Sequence, residues 1–305
     1  MSIAHWGLAL LIVLAWGLNF VVIRFGLDEL PPLLLGGLRF TLVAFPAMLF
    51  VKPPKLPLKW LLAYGGFISL GQFALLFSAM YVGMPAGLAS LVLQSQMLFT
   101  MLFALLFLGE RLQLPQVISL VVAVTGLVFL AQATPTTEMT LIGFLLTVAA
   151  AASWGMGNII NRHIAQLGNL NLMSLVVWGA LVPPIPFFLL SLWLEGPALI
   201  AESLAGMGWK SVGALVYLAL VASLFGYGSW AFLMSRYPAS TVAPLTLLVP
   251  VVGLLTAWLV LGEGVSLLQA FGIVLILLGL MINVFGQRIR LRLRLRRVGV
   301  KSPDV

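Results

Sequence analysis

The sequence predicts an all-α membrane protein in which ten transmembrane helices form two inverted five-helix repeats. Composition provides the first indication, because 62% of the 305 residues are hydrophobic and only 8% are charged. A soluble domain carries about 25% charged residues, so lipid must cover much of this chain. An internal repeat provides the second indication, since residues 105–130 align with residues 258–283.

Ten segments are apolar over the roughly 20 residues that a helix needs to cross the hydrocarbon core of a bilayer. Breaks marked by charge, proline or glycine separate these segments, although the break at residues 82–85 carries no charge. The predicted spans are residues 4–24, 33–51, 60–80, 85–107, 114–131, 141–161, 171–194, 211–234, 240–261 and 266–286.

Basic residues predict the orientation of the spans, because loops rich in Lys and Arg stay in the cytoplasm. With ten spans both termini lie on one side, and that side carries 13 of the 16 basic residues. We therefore predict cytoplasmic termini. Seven of these basic residues lie in the tail 288–305, which we interpret as an anchor beside anionic lipid of the bilayer. A nucleic-acid-binding arm is the alternative, but a basic segment after a final span is ordinary, and we expect no nucleic acid partner.

The repeat can be followed along the chain in two registers. Glu110 matches Glu263 at an offset of 153 residues, whereas Trp16 matches Trp154 at an offset of 138. The difference of 15 residues equals the length of the segment 195–209. We therefore predict that this segment is an insertion outside the membrane.

Each repeat contains five spans, so the second must cross the membrane in the opposite sense to the first. The predicted units are residues 1–137, residues 138–287 and the basic cytoplasmic tail 288–305. Inverted repeats of this kind commonly build a transport pathway between their halves. Glu110 and Glu263 are then expected on opposite sides of the membrane, bound to nearby backbone or to the helix ends of their own half.

Polar side chains inside a membrane are costly, and they usually face a cavity or another helix. Arg39 is a cation within a span and has no carboxylate within a helical turn. Its guanidinium is suited to binding a substrate carboxylate; the alternative is that it snorkels to the surface or pairs with Asp28 or Glu29. The candidates for substrate contact all lie within predicted spans: Asn19, Arg39, Gln72, Gln94, Asn158 and Trp178.

Two glutamines of the fourth span, Gln94 and Gln96, are expected to differ in their surroundings. Residues two apart on an α-helix are separated by about 200° around its axis. We therefore expect one of them to line a cavity and the other to bond to a neighbouring helix.

Enzyme chemistry finds little support in the sequence. The chain contains no cysteine, and its two histidines, His5 and His163, lie at the ends of predicted helices. No predicted span contains paired carboxylates, a cluster with metal-ligand spacing or a phosphate-binding glycine loop. We therefore expect no enzymatic activity, no cofactor and no metal.

Several segments carry a resemblance to a known family, among them GLRFTLVAFPA (37–47) and the two Gly-Glu turns. The Gly-Glu turns are typical of a whole superfamily, whereas GMPAGLASLVLQ (83–94) together with VAPLTLLVPVVGL (242–254) is considerably more specific. In these segments the chain resembles the EamA branch of the drug/metabolite transporter superfamily, and within it the exporters of O-acetylserine and cysteine. The resemblance implies a bacterial inner-membrane exporter that binds a small-molecule substrate in a cavity between its repeats and works by alternating access.

The expected function is therefore export of small amino-acid-like metabolites, with O-acetylserine and cysteine implied by the resemblance alone. Broader metabolite or drug efflux is the alternative, followed by a membrane protein without transport activity. Efflux of cationic drugs favours an acid within the membrane, and no span carries one at its centre. Proton antiport would for the same reason depend on Glu110, Glu263 or a peripheral acid.

Overall fold

The computed structural model describes residues 1–133, 139–168 and 171–297. Within this part of the chain, ten helices are long and apolar enough to cross a membrane, and they confirm the ten predicted spans to within a few residues. The predicted repeat boundary at residues 137 and 138 lies outside the described residues, as does the end of the tail, 298–305. The helices are α1 Ile3–Leu27, α2 Pro32–Leu49, α3 Leu58–Tyr81, α4 Ala86–Leu108, α5 Leu114–Gln132, α6 Leu141–Gln166, α7 Leu172–Leu194, α8 Trp209–Arg236, α9 Ala243–Leu261 and α10 Leu267–Gly286.

Contacts between helix ends define two ends of the bundle. Where α1 begins, the His5 ring meets the Tyr237 hydroxyl after α8, with 2.6 Å between Nδ1 and the hydroxyl oxygen. At the opposite end, the Thr140 amide before α6 donates to the Gly83 carbonyl oxygen after α3, at 3.1 Å. The first is called the basic end, because it carries Lys52, Lys55, Lys59, Arg111, Arg162 and Arg236. The second is called the acidic end, because it carries Asp28, Glu29, Glu195, Glu202 and Glu263.

The Gly-Glu turn has the same backbone in both repeats. Gly109 and Gly262 adopt left-handed φ values of 64° and 70°, which residues with a Cβ rarely adopt. In both turns the following amide, that of Glu110 or Glu263, donates to a carbonyl six residues back at 3.3 Å. Many helix C-termini end at a left-handed glycine whose following amide bonds back to the helix in a similar way. The left-handed φ explains why both copies contain glycine.

The helix after each turn begins with the same side-chain cap. Gln116 accepts a hydrogen bond from the Gln113 amide at 2.7 Å, and Gln269 accepts one from the Ser266 amide at 2.9 Å. Such caps occupy a backbone donor that the first helical turn leaves without a partner. The match between Gln116 and Gln269 therefore reflects a duplicated helix start.

Helices α5 and α10 pack backbone to backbone at positions that the repeat exchanges. A Cβ on Gly126 would lie 2.7 Å from the Gly272 carbonyl oxygen, and a Cβ on Gly279 would lie 3.0 Å from the Ser119 carbonyl oxygen. Gly126 matches Gly279, and Ser119 matches Gly272, at the offset of 153 residues. The two contacts are thus related by a pseudo-two-fold axis, and small residues allow the close approach.

Helices α3 and α8 share a local irregularity. Both are wound as π-helix near their middle, at Gly65–Gly71 and at Tyr217–Phe225. The two stretches overlap when superposed at the offset of 153 residues. Since π-turns are frequent at functional sites, this shared winding marks the level of the bundle at which polar side chains meet.

Two segments lie outside the repeat pattern. The segment 195–209 contains a short helix, Pro197–Ala205, between α7 and α8 at the acidic end. Helix α10 continues without a break to Arg297, so the backbone of the basic tail is helical from 288 to 297.

Candidate functional site

A cavity of about 340 Å³ lies between the two repeats. Helices α1 to α4 line it from the first repeat, and helices α6 to α9 line it from the second. No residue of α5 or α10 contributes to it among those described, because these two helices pack against each other. The cavity volume falls within the range of about 300–1,000 Å³ typical of small-molecule sites.

The structure brings five of the six predicted candidates together in this cavity. Trp178 is the exception, because it does not line the cavity and its indole nitrogen donates to the Val51 carbonyl oxygen at 2.9 Å. This contact ties α7 to the loop after α2. The candidates that line the cavity are Asn19, Arg39, Gln72, Gln94 and Asn158.

Arg39 lies at the wall of the cavity with 2% of its surface exposed. Its Nη2 donates to the Ser223 hydroxyl at 3.1 Å, and its guanidinium carbon lies 4.1 Å from the centroid of the Phe73 ring. Aromatic faces attract a cation most strongly when water is excluded. Asp28 pairs with Arg24 at 3.7 Å, and the Glu29 carboxylate accepts from another loop, so the acids named above as alternatives have other partners.

The Arg39 charge has no carboxylate partner among the described residues. Its Nε and Nη1 are buried and make no hydrogen bond there. The side-chain oxygens of Asn19 and Gln72 are also buried without a hydrogen-bond partner. Buried polar groups are usually satisfied, and each one left unpaired costs about 1–3 kcal/mol. Three such side chains around one cavity indicate a site shaped for a polar ligand.

Gln94 and Gln96 both line the cavity, which differs from the expectation that only one would. The α-helix is interrupted by a tighter 3₁₀ turn at Leu93–Ser95. Because a 3₁₀ helix has about 3.0 residues per turn, it brings residues two apart to within roughly 120° of each other. Gln94 Nε2 donates to the Thr246 carbonyl oxygen at 3.2 Å, whereas Gln96 Oε1 accepts from Asn158 Nδ2 at 2.6 Å. Each glutamine therefore also connects α4 to the second repeat.

Aromatic side chains complete the wall of the cavity. Trp16 and Trp154, which match at the offset of 138, both line it, and the Trp16 indole nitrogen donates to the Ala222 carbonyl oxygen at 3.0 Å. Tyr64 also lines the cavity, although it was not among the predicted candidates. The signal that identifies it is helical spacing, since Tyr64 lies eight residues, about two turns, before Gln72 on the same face of α3.

The cavity extends towards the basic end and stops short of the acidic end. It reaches Leu172, the first residue of α7, and Met234, near the last turn of α8. Towards the acidic end its lining ends at Leu76 and Ser90, each about one helical turn inside its helix.

Three glutamates close the acidic end by capping helices that lie elsewhere in the sequence. The Glu263 carboxylate accepts from the amides of Ala86 and Gly87 at 2.7 and 2.8 Å, at the start of α4. Glu195 accepts from the amides of residues 33 and 34 at 2.6 and 3.1 Å, at the start of α2. Glu29 accepts from the Gly208 amide at 2.9 Å, just before α8. A carboxylate at a helix N-terminus is favoured by the unpaired amides and by the helix dipole.

Glu263 therefore binds backbone amides of the other half of the protein, whereas the prediction was nearby backbone or the helix ends of its own half. At the basic end, Glu110 forms an ion pair with Arg162 on α6, which also belongs to the other half. Both side chains of this ion pair are about half exposed, at 43% and 51%. The inversion is the physical reason, because it places each turn next to helices of the opposite repeat.

Two inverted five-helix repeats around one polar cavity are the architecture of a membrane transporter. The cavity offers a guanidinium, amides and aromatic rings, and no group of three acidic, histidine or cysteine side chains that could hold a metal occurs in the described residues. The model of the EamA-like transporter family matches residues 6–132 and 141–285, so that each matched segment spans five of the ten helices. The chain belongs to this family, and it is a transporter rather than an enzyme.

Relatives of this chain carry names within the same class. A "Probable amino-acid metabolite efflux pump" of Salmonella typhimurium (strain LT2) is 53% identical over 285 residues, covering 93% of this chain and 95% of the relative. A "Probable terminal-alkyne amino-acid exporter" of Streptantibioticus cattleyicolor is 29% identical, covering 86% and 87%. A crystal structure with a TM-score of 0.61 and 22% identity covers 95% of this chain and 99% of its own, which supports the fold alone.

Proposed function

We propose that the protein exports small amino-acid-like metabolites and binds their carboxylate group at Arg39. Arg39 is the basis of the proposal, because it is a cation with two buried nitrogens that lack hydrogen-bond partners among the described residues. A buried charge is costly unless it is paired. A substrate carboxylate would supply both the missing charge and the missing acceptors.

The names of the relatives support this substrate class, since one is called an amino-acid metabolite efflux pump and another an amino-acid exporter. We further propose O-acetylserine and cysteine as substrates, on the basis of the resemblance described above. Both carry a carboxylate beside an ammonium group. Asn19, Gln72 and Gln94 are the cavity amides that we propose as further contacts, with Asn158 as a support for Gln96.

We also propose that the protein resides in the bacterial inner membrane with both termini in the cytoplasm. The concentration of Lys and Arg at the basic end supports this orientation. The cavity would then extend towards the cytoplasm, the side from which an exporter loads. Residues 1–137 and 138–287 would be the two repeats that move against each other during transport.

Replacing Arg39 tests the carboxylate contact. In proteoliposomes we expect Arg39→Gln to lower uptake of labelled O-acetylserine at least about 30-fold, since truncating one partner of a buried charge pair costs about 2 kcal/mol or more. Arg39→Lys keeps the charge but loses the two-pronged guanidinium, so we expect it to rescue uptake only in part. Arg24→Gln is the matched control, because it removes an exposed arginine that pairs with Asp28. Its uptake should equal that of the native protein.

A competition assay separates carboxylate recognition from a structural role of Arg39. Unlabelled O-acetylserine should compete for uptake by the native protein, whereas its methyl ester, which lacks the negative charge, should not. Equal competition by the ester, or native uptake by Arg39→Gln, would contradict the proposed contact.

Metabolite profiling tests the substrates themselves. Cells that overproduce the protein should accumulate O-acetylserine and cysteine in the medium. If only other amino-acid-like compounds accumulate, the two specific substrates are wrong and the broader class stands. If only cationic drugs are exported, the broader class is wrong as well.

A further inference from the structure

Glu263 joins the two halves of the protein at the acidic end. Its carboxylate holds the amides of Ala86 and Gly87, and so connects the turn after α9 to the first residues of α4. All residues from Ala86 to Leu93 are buried. The acidic end is therefore closed where this contact forms.

The repeat predicts a matching target for Glu110 at the basic end. At the offset of 153 residues, the sequence Pro-Ala-Gly at 85–87 matches Pro-Ala-Ser at 238–240. At the same offset Glu110 matches Glu263, and residues 86–87 match residues 239–240, as Gly126 matches Gly279 in the contact between α5 and α10. The amides of residues 239 and 240 are thus the counterpart of the pair that Glu263 caps.

The chain after residue 238 is packed differently from its matched segment. Of residues 241–246, which match the buried residues 88–93, only Val242 is buried. The chain is wound there as a four-residue helix, Ala239–Val242, followed by a 3₁₀ stretch, Ala243–Leu247. Glu110 is meanwhile engaged by Arg162 in a half-exposed ion pair. The basic end, towards which the cavity extends, is thus the end at which the glutamate of the Gly-Glu turn pairs with a side chain.

We propose that Glu110 and Glu263 are reciprocal latches that close opposite ends of the transport cavity in alternate states. In the present state Glu263 caps α4, and Glu110 is held by Arg162. In the other state Glu263 releases residues 86 and 87, and Glu110 leaves Arg162 and caps the amides of residues 239 and 240. Exposed ion pairs are weak, so Arg162 holds Glu110 only until the cap becomes available. This role of Glu110 and Glu263 goes beyond the proposed function and does not depend on which substrate is exported.

A cysteine reporter measures which end is open. The native chain contains no cysteine, so a Leu76→Cys variant carries a single thiol. This thiol is buried in the cavity wall, on the cavity side of the closed acidic end. In proteoliposomes with a defined orientation, a membrane-impermeant maleimide added on the acidic-end side labels this thiol only while that end is open. Initial labelling rates then report the population of the other state without any substrate.

The two partners of the ion pair should shift this population in opposite directions. Arg162→Ala frees Glu110 for its cap, and we expect it to raise the labelling rate about threefold or more. Glu110→Gln cannot form the charged cap, and we expect it to lower the rate about twofold or more. An ion pair with a purely structural role would shift the rate in the same direction in both variants.

Glu263→Gln weakens the cap that closes the acidic end and should raise the labelling rate, as Arg162→Ala does. Glu202→Gln is the matched control, since it removes another carboxylate from the acidic end and should leave the rate unchanged.

Equal shifts of the labelling rate for Glu110→Gln and Arg162→Ala, or an unchanged rate for Glu110→Gln, would overturn the proposal. The Glu110 and Arg162 variants alter exposed side chains, so they decide the question even if Glu263→Gln does not fold. If the labelling rates change as expected but Arg39→Gln transports O-acetylserine like the native protein, the proposed substrate contact is wrong and the proposed role of the two glutamates stands.

Discussion

The turn at Gly109-Glu110 and the turn at Gly262-Glu263 have the same backbone but different side-chain partners. Both glycines are left-handed, and both following amides make the same 3.3 Å hydrogen bond. Glu263, however, caps a helix across the repeat boundary, whereas Glu110 lies in an exposed ion pair. Local sequence thus determines the turn, and the state of the whole bundle determines what the carboxylate binds.

The polar residues that line the cavity also differ between the two repeats. Arg39, Gln72 and Gln94 belong to the first repeat. Their matched positions in the second repeat hold valine at 177, phenylalanine at 225 and leucine at 247. Duplication preserved turns, caps and helix winding, because both halves need them to fold. A substrate that occupies one cavity needs only one set of polar contacts.

The largest difference between matched positions should appear at the two glutamates. Glu263→Ala leaves two amides at the start of α4 without their acceptor, and we expect a loss of about 2–4 kcal/mol in the free energy of unfolding. Glu110→Ala removes an exposed ion pair and should cost about 0–1 kcal/mol. Thermal unfolding of the detergent-solubilised variants measures both. Equal losses would show that the two glutamates contribute equally to stability, contrary to what their different partners imply.

The sequence predicted the helices well because the bilayer sets their length. A run of about 20 apolar residues has few other stable forms in lipid, so each predicted span lies within a few residues of its helix. The two Gly-Glu turns could be recognised in the sequence as well, since a duplicated Gly-Glu pair after an apolar run marks a helix end.

Contacts between distant segments could not be predicted in the same way. Trp178 was a candidate for the cavity, but its ring is turned towards Val51, and only the packing of α7 decides that direction. The cap that Glu263 makes on α4 depends on how the inverted halves dock, which no local pattern records. Gln94 and Gln96 both line one cavity because of a 3₁₀ turn, which no pattern in the sequence indicates.

The contact between α5 and α10 should respond almost equally in the two repeats. Gly126→Ala and Gly279→Ala each place a Cβ within 3.0 Å of backbone atoms on the facing helix. We expect each to lower the free energy of unfolding by about 1–3 kcal/mol, because the two helices must separate. Gly7→Ala is the control, since a Cβ there meets nothing within 4 Å. A large loss from only one of the two variants would show that the pseudo-two-fold axis fails at this contact.

The smallest effects are expected at the glutamine caps, where the two repeats differ in solvent access. Gln116→Ala and Gln269→Ala each remove the acceptor of one amide at a helix start. The Gln113 amide lies at an exposed helix start, so water can replace the lost acceptor, and we expect a cost of about 0.5–1 kcal/mol. Gln269 is only 2% exposed, so its removal also leaves a gap, and we expect about 1–2 kcal/mol. Chemical denaturation at matched detergent concentration measures this difference. A greater loss at Gln116 would show that burial of the cap does not determine its contribution, and that the asymmetry between the repeats is confined to the two glutamates and the cavity.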